Sequence, residues 1–186
     1  MQARTSLLFI LIFYSTVAIA QKRSFPLEGN IQAGLLEGEK GSAFQLSMMG
    51  GLRYKTWTTS VGTGLDYYGI RSIPLYLNVQ KRLFNRTQTP FLYLGSGYHF
   101  PWVNTDYKDS WRETKTKGGL YYSGGIGYQL PAIKKAALFF AAGYSLKQYF
   151  EEVTSLSPCL IAPCPEYKEK FKYRLRRLSV TTGLRF

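Results

Sequence analysis

The residue best suited to catalysis is a single histidine. His99 is the only histidine among 186 residues, and Ser96 stands three positions before it. An imidazole beside a hydroxyl can activate a nucleophile. On a β-strand, however, an odd spacing puts two side chains on opposite faces. We therefore predict that His99 has a structural role and points inward, and we predict no catalytic residue.

Metal and phosphate chemistry find little support in the sequence. A metal site combines several suitable ligands, and His99 is not part of a cluster with cysteine or carboxylate. The glycine-rich stretches GTG at 62–64 and SGGIG at 123–127 lack the lysine of a phosphate-binding loop. We expect no metal and no cofactor.

The N-terminus predicts export, which bears on the two cysteines. Residues 1–20 combine Arg4, an apolar run and the A-x-A sequence at 18–20, as a secretory signal peptide does. Cys159 and Cys164 lie in SPCLIAPCPEY, and an oxidising compartment makes them a candidate disulfide, with free thiols as the alternative. A ring this small stabilises by about 2 kcal/mol at most, so the bridge would shape a loop tip.

Composition restricts the partners of the mature chain. The net charge of +13 would suggest nucleic acid in a cytosolic protein, but export argues against nucleic acid and favours an anionic lipid or lipopolysaccharide surface. Aromatic residues make up 16% of the chain, which favours strands over disorder. The segment YKDSWRETKTK, residues 107–117, is open to two interpretations: a ligand-binding loop, or a solvated loop anchored by Trp111.

Period-2 alternation predicts eight strands. Pro74 fits this pattern only near the start of its strand. Short turns at 55–56, 84–89 and 131–135 would lie at one end with both termini. The segments 37–42, 69–71, 103–117 and 151–169 would lie outside the cell, and 103–117 and 151–169 are the longer, polar ones. The predicted strands cover residues 27–36, 43–54, 57–68, 72–83, 90–102, 118–130, 136–150 and 172–186.

The polar face of these strands decides which side points inward. A soluble barrel of the lipocalin kind would need a charged, hydrated outer face. Here the polar face is mostly Gly, Ser, Asn and Gln, which suits a narrow interior. Aromatic residues near both strand ends of the apolar face match membrane girdles. We expect the isolated charges to pair inside the barrel: Glu28, Arg53, Asp66, Arg82, Lys147, Arg177 and Arg185.

Two arginines of the last strand share the parity of its apolar side chains. Arg176 lies ten residues before Phe186, which is about 25 Å along the membrane normal at ~3.3 Å per residue and ~40° tilt. Arg174 and Arg176 therefore reach the outer rim. They are candidates for contacts with lipopolysaccharide phosphates, with a solvated strand end as the alternative.

The last strand, KYRLRRLSVTTGLRF, alternates and ends on Phe186. This ending resembles the C-terminal signature of Gram-negative outer-membrane proteins, which the barrel-assembly machinery reads. With the signal peptide and the strand count, residues 21–186 resemble the small OmpA/OmpX-type barrels. The resemblance implies an all-β fold, an eight-stranded antiparallel up-and-down transmembrane β-barrel in the bacterial outer membrane.

The expected function follows from this class. We expect a monomeric, non-enzymatic protein with a structural or surface-interaction role through its outer loops. A narrow, filled interior argues against a large open pore. The alternatives are an enzyme that modifies lipid A or phospholipid, and an accessory barrel of a secretion system. The enzyme would need His99 on the lipid-facing side beside a hydroxyl and a carboxylate.

Overall fold

The computed structural model describes residues 26–102, 107–108, 112–133, 136–156 and 166–186. The predicted signal peptide, Trp111, Cys159 and Cys164 lie outside these ranges. Within them, no helix is long and apolar enough to cross a bilayer. The strands of the described residues are β1 (Leu27–Gly38), β2 (Gly41–Tyr54), β3 (Trp57–Asp66), β4 (Ser72–Arg82), β5 (Thr89–Pro101), β6 (Tyr107–Lys108), β7 (Arg112–Lys117), β8 (Gly119–Ile133), β9 (Ala136–Leu156) and β10 (Glu166–Arg185).

Eight of these described strands close a ring in the order β1-β2-β3-β4-β5-β8-β9-β10, and each pairs antiparallel with the next. The last strand returns to the first, with Asn30 opposite Arg185. Beyond that pair, Gly29 and Phe186 exchange two backbone hydrogen bonds of 2.8 and 2.9 Å. The predicted eight-stranded up-and-down barrel is confirmed.

The predicted outer connections at 37–42, 103–117 and 151–169 form strand over most of their described residues, so their prediction as connections is wrong there. Only residues 39–40 separate β1 from β2, and β9 and β10 pair as far as Leu156 and Glu166. The strand β7 pairs with residues 150–155 of β9 and carries β6 as a short hairpin. Opposite charges across these strands support pairing, although charge alone had suggested loops. We call β6, β7, residues 148–156 and residues 166–176 the outer extension.

The inner turns also differ in detail from the prediction. Strand β8 continues through Pro131 to Ile133 with a bulge, and Ile133 pairs with Ala136 of β9. Lys55 in the 55–56 turn adopts a φ of 55°, as tight hairpins require. Pro74 is the third residue of β4, and the pairing between β3 and β4 is interrupted beside it, since proline has no N–H to donate.

Burial in this barrel is the reverse of that in a soluble protein. The buried set includes Asn78, Gln80, Lys147 and Arg177, whereas the exposed side chains include large apolar ones. On β10, for example, Leu178 is 62% and Val180 64% exposed, while Ser179 and Thr181, which alternate with them, are buried. Such a surface requires lipid as its solvent. The polar face therefore points inward, as predicted.

Aromatic side chains also fill the interior, which the sequence description of the polar face had underrated. Phe91 packs edge-on against Phe139 at a ring distance of 6.0 Å, and Tyr76 lies 5.4 Å from Tyr121. Glycine makes this possible: a Cβ atom at Gly127 would lie 2.3 Å from the Phe91 ring. The glycine-rich stretches are therefore packing positions.

Candidate functional site

A buried ion cluster lies at the outer end of the lumen. Arg177 places Nη1 2.5 Å from Oδ2 of Asp66, and Lys147 Nζ lies 3.5 Å from Oδ1 of the same carboxylate. Lys147 also donates to the carbonyl oxygens of Tyr68 and Ile70, at 3.1 and 2.7 Å. All three charged side chains are 0–1% exposed. The outer end of the lumen is thus closed by a compact polar plug.

His99 belongs to this end of the lumen. It is 0% exposed, and its Nε2 contacts the backbone carbonyl of Gln148. Ser96 is exposed on the opposite, lipid-facing side of β5. The inward position of His99 is confirmed. The described residues contain no group of three or more His, Cys, Asp or Glu side chains that could hold a metal.

A second ion cluster lies at the inner end. Arg82 donates through Nη2 to both oxygens of Glu28, at 2.7 and 2.5 Å, and Arg185 Nε lies 3.0 Å from Glu28 Oε1. Arg185 also donates to Gln80 and Gln129. Six of the seven predicted interior charges therefore pair in two clusters. The seventh, Arg53, is half-buried and lines the inner mouth of the lumen.

The lumen between the clusters is nearly filled. A central cavity of about 40 Å³ is bordered by Asn78, Tyr121 and Arg185, among others. This space accommodates about three ordered waters. A larger, open cavity of about 560 Å³ forms the inner mouth, and Arg185 borders both. The lumen is thus narrow and interrupted by a buried guanidinium.

The outer surface carries an apolar band between two aromatic girdles. At the inner end, Lys81 Nζ lies 4.9 Å above the Trp57 ring and Lys55 Nζ 5.4 Å from the Tyr54 ring, as expected for lysines that reach from the band to water. All predicted girdle residues are exposed: Tyr54, Trp57, Tyr128 and Phe186 at the inner end, and Phe44, Tyr67, Phe100, Trp102, Tyr122 and Tyr144 at the outer end.

Solved structures share this architecture. OprG, an outer membrane protein from Pseudomonas aeruginosa, is similar with a TM-score of 0.57 at 12% identity, over 86% of this chain and 94% of OprG. The chain has the fold of a small integral outer-membrane β-barrel. A major outer membrane protein of Thermus thermophilus gives a TM-score of 0.51 at 11% identity, over 86% of this barrel and 98% of that protein. Neisserial surface protein A gives a TM-score of 0.50 at 12% identity, over 86% of this barrel and 94% of that protein.

The barrel has no match among family models or among curated proteins. At this level of identity, the likeness to solved structures extends to the fold alone.

Arg174 and Arg176 are exposed on β10, opposite Gln148 and Leu146 of β9. Leu146 in turn pairs with Tyr122 of the outer girdle, which places Arg176 at the predicted rim. The predicted strand begins at residue 172 and the predicted connection covers 151–169, so the sequence places only these two arginines at the rim. The same alternation continues upward, and the exposed residues Lys168, Lys170, Lys172, Arg174 and Arg176 form what we call the cation ladder.

Proposed function

We propose that this barrel is a non-enzymatic surface protein whose outer extension binds the phosphates of lipopolysaccharide. The cation ladder is the observation that supports the proposal. Its five side chains stand on alternate residues of one strand and have the parity of the lipid-facing Leu178. Their spacing along the strand is about 6.6 Å per step. The ladder thus continues the lipid-facing side of the barrel into the headgroup layer and beyond.

Neighbouring strands add to the positive charge of this face. Residues opposite each other in antiparallel strands share a face, so Lys170, Glu152 and Lys115 form one row across β10, β9 and β7. Lys172, Phe150 and Lys117 form the next row towards the membrane. Across β10, β9 and β7, the described side chains of this face comprise seven cations, the ladder with Lys115 and Lys117, and the two carboxylates Glu113 and Glu152. On β1, the other neighbour of β10, Glu37 stands opposite Leu178.

The two carboxylates are already engaged with cations. Glu152 lies 2.7 Å from Lys117 Nζ and 3.2 Å from Lys170 Nζ, and Glu113 lies 3.1 Å from Lys115 Nζ. Hydrogen bonds from Lys117 and Lys170 hold the pKa of the Glu152 carboxyl below its ordinary value, so it stays ionised and fixes the three strands together. The part of the ladder nearest the rim, Arg174 and Arg176, has no acidic side chain opposite it on β9.

Lipopolysaccharide matches this arrangement in charge and in place. Its lipid A phosphates lie at the outer boundary of the apolar band, where Arg176 stands beside the outer girdle. Guanidinium groups bind phosphate in a two-pronged geometry, and lysines add point charges. Each cation close to an anionic membrane surface contributes about 1 kcal/mol to the free energy of binding.

A charge-matched pair of variants tests the proposal. Lys172→Gln/Arg174→Gln/Arg176→Gln removes three charges from the ladder, and Lys55→Gln/Lys81→Gln/Arg86→Gln removes three from the inner end. Binding of purified lipopolysaccharide to the detergent-solubilised barrel is measured for both. We expect the ladder variant to bind at least ~10-fold more weakly, from about 1 kcal/mol per charge, and the inner variant to match the parent. Equal loss in both variants, or none in either, would refute the proposal.

We propose a non-enzymatic role because His99, the residue best suited to catalysis, faces the lumen and not the lipid. His99 lies in the lumen against Gln148, on the opposite side of β5 from Ser96. We further propose that the barrel is a monomer in the membrane.

The exposed Phe186, which ends the alternating face of β10, serves as the signal for the barrel-assembly machinery.

A further inference from the structure

The inner mouth of the barrel has an unusual charge distribution. Among the acidic residues of the described chain, only Glu28 lies at the inner end, and the others lie at the outer end. The inner end of the described chain carries six cations, namely Arg53, Lys55, Lys81, Arg82, Arg86 and Arg185. Three of them, Arg53, Arg82 and Arg185, line the open cavity of about 560 Å³ together with Glu28.

Glu28 cannot neutralise this mouth. Its two oxygens receive hydrogen bonds or ion-pair contacts from Arg82, Arg185 and Thr58. One carboxylate therefore serves two buried guanidinium groups, and Arg53 adds a third positive charge at the cavity wall. An excess of positive charge in a partly dehydrated site is unfavourable unless an anion enters it.

An unused donor points to the same conclusion. Arg82 is 8% exposed and lines the cavity, yet its Nε–H has no hydrogen-bond partner within the described chain. A buried donor without a partner costs free energy that an incoming acceptor would recover. Arg185 differs from Arg82, because its Nε, Nη1 and Nη2 already contact Glu28, Gln129 and Gln80.

We propose that the inner mouth is a binding site for a phosphate group that enters from the periplasmic side, with Arg53 and Arg82 as its ligands and Arg185 as the base of the site. Guanidinium groups bind phosphate through charge-assisted hydrogen bonds. Arg82 can supply its Nε–H, because its Nη2 is engaged with Glu28, and Arg53 can supply a whole guanidinium. The phosphate comes either from a soluble anion or from the headgroup of an inner-leaflet phospholipid, since Leu27 and Phe186 border the cavity and are exposed on the lipid-facing side.

Isothermal titration of the full-length mature barrel in an uncharged detergent tests the site. One arm uses inorganic phosphate against chloride at equal ionic strength, and the other uses dihexanoyl phosphatidylglycerol against dihexanoyl phosphatidylcholine. Saturable binding of phosphate identifies a soluble anion as the ligand. Binding of phosphatidylglycerol alone identifies a lipid headgroup. Absence of saturable binding in both arms overturns the proposal.

Three variants locate the binding. Arg53→Gln removes a half-buried guanidinium that pairs with no acid in the described chain, so the barrel should fold, as a heat-dependent gel shift will verify. Arg82→Lys keeps the charge opposite Glu28 and removes the Nε–H. We expect each to weaken binding about tenfold, as for loss of a charged hydrogen bond. Arg86→Gln removes an exposed charge in the 83–88 turn, outside the cavity lining, and should leave binding within about twofold of the parent. Equal affinity of Arg53→Gln and Arg86→Gln would overturn the proposal, even if Arg82→Lys failed to fold.

Discussion

Arg177 of β10 reaches across the lumen to Asp66 of β3, which lies 111 residues earlier in the chain, with Nη1 2.5 Å from Oδ2. Asp66 also accepts the backbone N–H of Tyr68 and faces Lys147. One carboxylate therefore holds two buried cations from two different strands. The arrangement ties β3 to β9 and to β10, although β3 has no backbone pairing with either strand.

The variant Asp66→Asn tests how much this cluster contributes to the free energy of unfolding. It leaves Lys147 and Arg177 as uncompensated charges in the lumen, which should cost about 3–5 kcal/mol of unfolding free energy. Reversible urea unfolding of the barrel in lipid vesicles measures the loss. Glu39→Gln, an exposed change in the turn between β1 and β2, should stay within about 0.5 kcal/mol of the parent. A loss below about 1 kcal/mol for Asp66→Asn would mean that the cluster contributes little.

The apolar band can be mapped by placing a charge at two depths on one strand. Val180 lies near the middle of the lipid-facing part of β10. Leu184 lies two residues before Phe186 on the same lipid-facing side, near the inner end. Arginine costs about 2–4 kcal/mol at the midplane of a membrane barrel and about 0–1 near an interface. We expect Val180→Arg to destabilise strongly and Leu184→Arg weakly in the same vesicle assay. Equal costs for the two variants would contradict the proposed membrane position.

The outer extension should weaken in acid because of Glu152. Hydrogen bonds from Lys117 and Lys170 lower the pKa of this carboxyl in the folded state. The ionised Glu152 carboxylate therefore stabilises the outer extension fully above the ordinary carboxyl pKa of 4.5. This stabilisation is lost as the pH falls through the lower pKa of the folded state. Amide hydrogen exchange in β7, β9 and β10 should accelerate over that window in the parent barrel. Glu152→Gln should show faster exchange at neutral pH and no such acid step. A carboxyl titration at or above 4.5 would refute the assignment.

The sequence alone predicted the eight strands of the ring and the side of each strand that faces the lumen. Period-2 alternation is local, and the contrast between Ser179 or Thr181 and Leu178 or Val180 already identifies the lumen side of β10. The partners of the interior charges could not be assigned in the same way. Which carboxylate meets Arg177 depends on how the strands are staggered around the closed ring, and that stagger is not a local property.

The outer extension was missed for a different reason. The polar composition of residues 151–169 predicts a connection between strands. Alternating charges are nevertheless compatible with a strand when opposite charges face them, as Lys170 faces Glu152. The interior aromatic residues were underrated because Tyr76 and Phe91 fit only where glycine faces them. A Cβ atom at Gly62 would lie 2.6 Å from the Tyr76 ring. Such complementarity becomes visible only after the strands are paired.

The measurement that tests the central claim most directly is membrane fractionation combined with heat-modifiability. Cells that express the full chain are separated into periplasm, inner membrane and outer membrane, and each fraction is run on SDS gels with and without boiling. A closed barrel with a polar core and a lipid-facing band should be recovered in the outer membrane and should change mobility on boiling. Recovery as a soluble periplasmic protein would contradict the account, because the exposed apolar band would then have no lipid to cover it.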